Sequence, residues 1–342
     1  MNIGNRQLKD FLSNAKKEFK VNTCFLCGKP INGTCNSHSI PQFVLKELHQ
    51  NSDLCSASSF LDPTKGELSK KGINNCGTFH LICHECDQNY FKDYENEKTL
   101  DGLPVLIHTN LGCKILAEIM LKSVLLEYYK KCEDSFVRDE MNSISTHSNE
   151  VSNDSNYIDI NEYKNQVLRL KSIISSNIGD QFHISCCKIL DHSSQIAGQP
   201  LIAIDQDIHG NEINDLFNKN PLYKIVDTQF VIFPFNNKTL VLVFCLTDNY
   251  LRLKPYLDFL EGLKGNKQLR YIQATVFTYS EEIYVKKGTL KIIENDPYSL
   301  KFTTARGEAR ECIKDPVTGE IIDLPDPDQN SLIGFNKMKL LI

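Results

Sequence analysis

Apolar positions recur every three or four residues from Leu111 through Ile115, Leu116, Ile119, Met120, Val124 and Leu125 to Tyr128, and this spacing predicts a helix over 111–131 with its stripe facing a core. A looser repeat of Leu8, Phe11, Leu12, Ala15 and Phe19 predicts a short helix over 6–19, and Leu253, Leu257, Leu260 and Leu263 share one side of a helix over 251–264. Elsewhere the apolar runs are short. Residues 223–235 and 239–246 flank Asn236-Asn237, a pair suited to a tight turn, and read as a β-hairpin. Three further runs, 271–277, 283–285 and 290–293, read as strands.

Residues 142–156 have almost no apolar content and read as a linker. The chain therefore divides into residues 1–100, a helical connector over 101–141, the linker over 142–156 and an α+β domain over 157–342. Residues 157–342 show neither a sequence repeat nor a phosphate-binding loop.

Composition narrows the class. With 41% hydrophobic and 24% charged residues the chain can build real cores, so a wholly disordered protein is excluded. A formal net charge of -5 argues against coating nucleic acid by bulk electrostatics. The first residues lack an apolar signal core and no run approaches membrane-spanning length, so a cytoplasmic protein with no membrane partner is expected.

Thirteen cysteines, unevenly clustered, suit thiols and a metal site better than a disulfide framework. Two Cys-x-x-Cys pairs stand out: Cys24 with Cys27, and Cys83 with Cys86. Soft thiolates in two such pairs can surround one Zn²⁺ tetrahedrally, which makes these four the expected metal ligands. Cys35, Cys76, His80 and His84 are weaker substitutes. Gly28 and Pro30 mark a reversal after the first pair, and the second pair opens a stretch expected to be helical through Glu97.

Between the pairs lies Ser37-His38-Ser39-Ile40-Pro41, followed by Leu45-Lys46, and after it come Leu81-Ile82-Cys83, Cys86-Asp87 and Tyr94-Glu95. Together with the two Cys-x-x-Cys pairs, this series over residues 20–98 resembles the HNH endonuclease superfamily in its zinc-bound treble-clef variants. The resemblance implies an N-terminal ββα zinc module in an overall α+β chain. His38 would be the general base that activates water. Asp87 would bind a catalytic Mg²⁺ or Mn²⁺, with Asn89 as a nearby carboxamide; the zinc, with four cysteines, has no open position. Asn75, or Asn74 beside it, would be the central asparagine. Ser37 stands where family members commonly carry Asp or His.

The expected function on this resemblance is a metal-dependent endonuclease cutting phosphodiester bonds. Its substrate would be DNA, or else RNA, with antiviral defence as a setting and an activating protein as a further partner. Lys46, Lys65, Lys70 and Lys71 could touch a phosphate backbone. Against this stands a non-catalytic zinc module for nucleic-acid or protein binding, in which His38 holds its loop by bonding to backbone. In the second half, His183, Cys186, Cys187 and His192 invite a thiol mechanism, but their apolar neighbours point to structural positions, and Cys245 reads as inert core.

Overall fold

The computed structural model describes residues 14–15, 18–31, 35–49, 54–56, 70–71, 73–144, 154–176, 179–216, 218, 220, 222–299, 302 and 335–342. Its first half contains β1 (Ser37–His38), α1 (Gln42–His49), β2 (Leu54–Ser56), β3 (Lys70–Lys71) and β4 (Thr78–Phe79). Helices α2 (His84–Tyr90), α3 (Glu97–Asp101), α4 (Leu103–Leu106), α5 (Asn110–Ile144) and α6 (Asp154–Ser176) follow. The second half adds β5 (Phe182–Leu190), β6 (Ile196–Gly198), β7 (Leu201–Ala203), β8 (Asp227–Phe235), β9 (Lys238–Leu246), α7 (Thr247–Gly262), α8 (Asn266–Tyr279), β10 (Ile283–Lys286) and α9 (Lys287–Asn295). The fold is mixed α+β.

The strongest apolar runs build the sheet. Residues Asn236 and Asn237 both take positive φ, 48° and 58°, the geometry of the two-residue turn that matches strand twist, and β8 and β9 pair antiparallel around them as the sequence predicts. Because side chains alternate across a strand, Val231, Phe233, Leu240, Leu242 and Phe244 enter one core while Phe230, Ile232, Val241, Val243 and Cys245 enter the other. Both faces are covered, so these strands show a continuous apolar run. The first core takes α1, α5 and α6; the second takes α7, α8, α9 and the residues Met338, Leu341 and Ile342.

Helix α5 realises the predicted stripe and extends it to Ile144. Residues 145–153 of the expected linker lie outside the described residues, and helix occupies both flanks. Most of the expected 6–19 helix is also outside them; Ala15 is buried there, and the Phe19 ring lies 5.4 Å from Tyr129. Helix α7 covers the predicted segment from 251 to Gly262 and buries Leu253, Leu257 and Leu260, while Leu263 is its extended C-cap.

Three expectations are corrected. Residues 271–277 are not a strand but the centre of α8, whose residues Leu269 and Tyr271 to Thr278 are all buried; its Thr, Val, Tyr and Phe residues carry strand propensity. Residues 290–293 lie in α9, where Leu290 and Ile293, three apart, share the core face. The helix opened by the second cysteine pair stops at Tyr90, and a separate short helix starts at Glu97, capped by Asn96 Oδ1.

The main sheet runs in the order β3-β2-β10-β6-β8-β9-β5, with β7 beside β8. Strands β2 and β3 come from the segment between the two cysteine pairs and extend the sheet edge beyond β10, so the sheet takes strands from both sides of 142–156. None of the described helices is long and apolar enough to cross a membrane.

Candidate functional site

The first cysteine pair sits on a reversal closed by the Thr23 and Pro30 bridge, with Gly28 at φ 72° and its N–H donating to the Cys24 carbonyl at 2.8 Å. Cys83 caps the N-terminus of α2 and Cys86 lies one turn in, so both sulfurs of the second pair reach the same point. The four sulfurs of Cys24, Cys27, Cys83 and Cys86 all lie within 4.8 Å of one another, a cluster able to hold a metal ion such as zinc. Tetrahedral Zn–S bonds of about 2.3 Å place sulfurs about 3.8 Å apart. Cys27 Sγ and Cys83 Sγ are 3.8 Å apart, which fits. Burial favours the neutral thiol of Cys24, yet hydrogen bonds from the backbone of Cys83, Cys27 and Leu26 outweigh it and bring that thiol down to about 7.

The knuckle is tied to the helices behind it. Lys171 Nζ on α6 donates to the Leu26 carbonyl at 2.6 Å, and the Phe25 and Tyr128 rings lie 4.5 Å apart. Of the substitute ligands, Cys35 and His84 lie together outside the cluster, Cys35 Sγ being 4.0 Å from His84 Nδ1.

Strands β1 and β4 pair antiparallel and put His38 opposite Thr78. Its Nε2 is 3.2 Å from the Ile73 carbonyl, and since a carbonyl only accepts, that nitrogen carries the proton. Burial pushes His38 below the ordinary histidine value, more than the Ile73 carbonyl pulls it back, so the ring is neutral at pH 7. The residues after it are fixed as well: Ser39 N–H donates to Gly77 at 2.8 Å and the Tyr94 hydroxyl to the Ser39 carbonyl at 2.5 Å.

Asp87 faces β1 from α2. Its Oδ1 accepts from Ser37 Oγ at 2.5 Å and from Lys122 Nζ at 2.6 Å, and its Oδ2 lies 3.7 Å from Cys35 Sγ. Lys122, fully buried on α5, also reaches Ser37 Oγ at 2.9 Å and Glu95 Oε1 at 3.1 Å, with the Phe91 ring centroid 4.3 Å away. Burial alone would raise the Asp87 carboxyl; the Lys122 ammonium and the Ser37 hydroxyl hold it below the usual carboxylate range instead.

This arrangement does not fit the divalent cation that the sequence led us to expect on Asp87. Both carboxylate oxygens already have partners, and the positive charge at the site is an ammonium. Asn89 is exposed and lies two residues beyond Asp87 on α2, so the two do not face the same point. Residues Asn74 and Asn75 lie in a 3-10 turn after β3; Asn74 is exposed, and its carbonyl accepts from Asn36 Nδ2 at 2.8 Å. Of the expected phosphate-contacting lysines, Lys46 is exposed and Lys65 lies outside the described residues.

Glu95 entered the sequence reading only as part of the Tyr94-Glu95 motif, and Lys122 was not singled out, although a signal existed. Ile115, Ile119, Lys122 and Leu126 follow the four-three-four spacing of one buried helix face, and a lysine in that register marks a charge bound for the interior. In the second half, His183 Nε2 pairs with Glu261 at 2.8 Å, while burial pushes the Cys186 thiol to about 11 and those of Cys187 and Cys245 to about 12. His192 bonds the Ile342 backbone. At those values the three thiols are neutral at pH 7.

One neighbour of the site titrates in an accessible range. Glu118 on α5 is fully buried, accepts the Tyr94 N–H at 2.9 Å and, chiefly through burial, has a carboxyl raised from 4.5 to about 7. The folded state thus binds a proton that the unfolded state has already lost, and stability falls as pH rises from 4.5 towards 7. Glu118→Gln is expected to stabilise the protein by roughly 1–3 kcal/mol at pH 8 and to be near neutral at pH 5. Denaturant midpoints of both proteins across that range check it; a difference independent of pH would contradict it.

Compared with known proteins, the chain matches no family model, no curated protein and no solved structure.

Proposed function

We propose that the first half is a zinc-ordered, HNH-like treble-clef module that serves binding or scaffolding and does not hydrolyse phosphodiesters through a divalent cation. The observation that carries this reading is the ion pair between Asp87 and buried Lys122. Freeing Asp87 for an incoming metal would strand the ammonium in the interior with Glu95 alone, and breaking a buried pair costs about 3–5 kcal/mol. His38 has a structural part as well: its Nε2 proton is bonded to the Ile73 carbonyl, which holds the residues before β4 against β1.

The nuclease reading keeps one observation in its favour. His38 and Asp87 lie on facing elements, and a neutral imidazole with one nitrogen anchored to a carbonyl is what a general base requires. Its substrate would be DNA, or else RNA.

Zinc-loaded wild type and His38→Ala, incubated with plasmid, single-stranded DNA and RNA in Mg²⁺ or Mn²⁺, separate the two. The expected result is no cation-dependent cleavage by either protein, with His38→Ala lowering stability by about 1–3 kcal/mol through the lost carbonyl bond. Cleavage by wild type that vanishes in folded His38→Ala would establish the nuclease instead.

A further inference from the structure

Three oxygens from separate parts of the chain meet at one point beside the zinc cluster. Ser37 Oγ comes from β1, Asp87 Oδ1 from α2 and Glu95 Oε1 from the turn after α2. The group at that point is the Lys122 ammonium, at 2.9, 2.6 and 3.1 Å from them. These are ammonium distances; Mg²⁺ and Ca²⁺ draw oxygens closer, to about 2.0–2.6 Å. The Phe91 ring closes one side at 4.3 Å and the fully buried lysine stem arrives from α5, while Asp87 and Glu95 reach the surface with side chains 19% and 36% exposed. Two carboxylates around one ammonium leave the group formally one unit negative.

We infer that Ser37, Asp87 and Glu95 form a cation site whose permanent occupant is the chain's own Lys122, and that deleting this ammonium converts it into a site for a divalent cation of the Mg²⁺ or Mn²⁺ class. The donor set supports this: hard carboxylate and hydroxyl oxygens suit such ions, and water can complete the shell once the lysine stem has gone. Glu95 is central to the inference, because with Asp87 alone the site would hold a single carboxylate. The inference deepens the non-catalytic reading by stating what excludes the metal. It also gives α5 a role in the site: the helix delivers a charge into a pocket built by β1 and α2.

The test is Mn²⁺ binding to the full, zinc-loaded chain, followed by the loss of the free Mn²⁺ paramagnetic signal. Wild type is expected to take up no Mn²⁺ at this site. Lys122→Ala is expected to bind one equivalent at least about tenfold more tightly, and to melt at a higher temperature when Mn²⁺ is added. Adding Asp87→Asn or Glu95→Gln to that variant is expected to abolish the gain. Uptake of one Mn²⁺ by wild type that Asp87→Asn removes would overturn the inference, and that measurement does not depend on any lysine variant folding. A Lys122→Ala protein that gains neither Mn²⁺ nor stability from it would overturn it too. Cleavage of nucleic acid by wild type without added divalent cation would defeat the non-catalytic reading and leave this inference standing.

Discussion

Removing the metal from the four-cysteine cluster is expected to unfold the knuckle and loosen the helices packed on it. Structural zinc in small modules contributes an apparent ~10–16 kcal/mol at neutral pH, comparable to or larger than the whole stability of a typical domain. Cys24 and Cys86 are buried, and without the ion four thiols would crowd one another with no partner of comparable strength. The loss should spread, because Lys171 on α6 bonds Leu26 and Tyr128 on α5 packs against Phe25. Chelator titration followed by circular dichroism, alongside zinc quantitation, measures this. Cys86→Ser is expected to lose zinc and melt early, while Cys245→Ser, deep in β9, keeps its zinc. A Cys86→Ser protein that melts like wild type would defeat the assignment.

Replacing Lys122 with methionine is expected to cost about 3–5 kcal/mol, among the largest effects of any single substitution in this fold. Methionine keeps most of the stem and its packing, so the loss isolates the charge. Asp87 and Glu95 would then face each other without a counter-ion. The double variant Lys122→Met with Asp87→Asn is expected to recover part of the loss, giving a coupling energy well outside additivity. Denaturant unfolding of the four proteins of this cycle checks it, and additive costs would show that the ion pair has no stabilising role of its own.

How far the sequence reaches depends on whether an element carries a local signal that burial does not erase. The β8 and β9 hairpin was legible because Asn236-Asn237 fixes the turn chemically, whatever packs above or below. Helix α5 was legible because its large aliphatic residues keep the three-and-four spacing, although every residue from 115 to 126 is buried. Helix α8 was not, since its Thr, Val, Tyr and Phe residues carry strand propensity. At the site, the cysteine pairs announced themselves by spacing alone. The fate of Asp87 did not, because it is decided by Lys122, thirty-five residues away in sequence. Local motifs name the groups that can do chemistry; a distant helix decides whether they are free.

Strand β2 pairs with β10, and Cys55 lies opposite Val285, 230 positions later. During synthesis the segment carrying β2 and β3 therefore leaves the ribosome long before its partner strand exists. At translation rates of about 5–20 residues per second it waits on the order of ten seconds or more with an unpaired edge. Unpaired edges template aggregation. Zinc capture by the flanking cysteine pairs, available as soon as Cys86 has emerged, would tether both ends of that waiting segment and shorten its reach towards neighbouring chains. Cellular zinc supply would then govern how much of the nascent protein survives to complete its sheet.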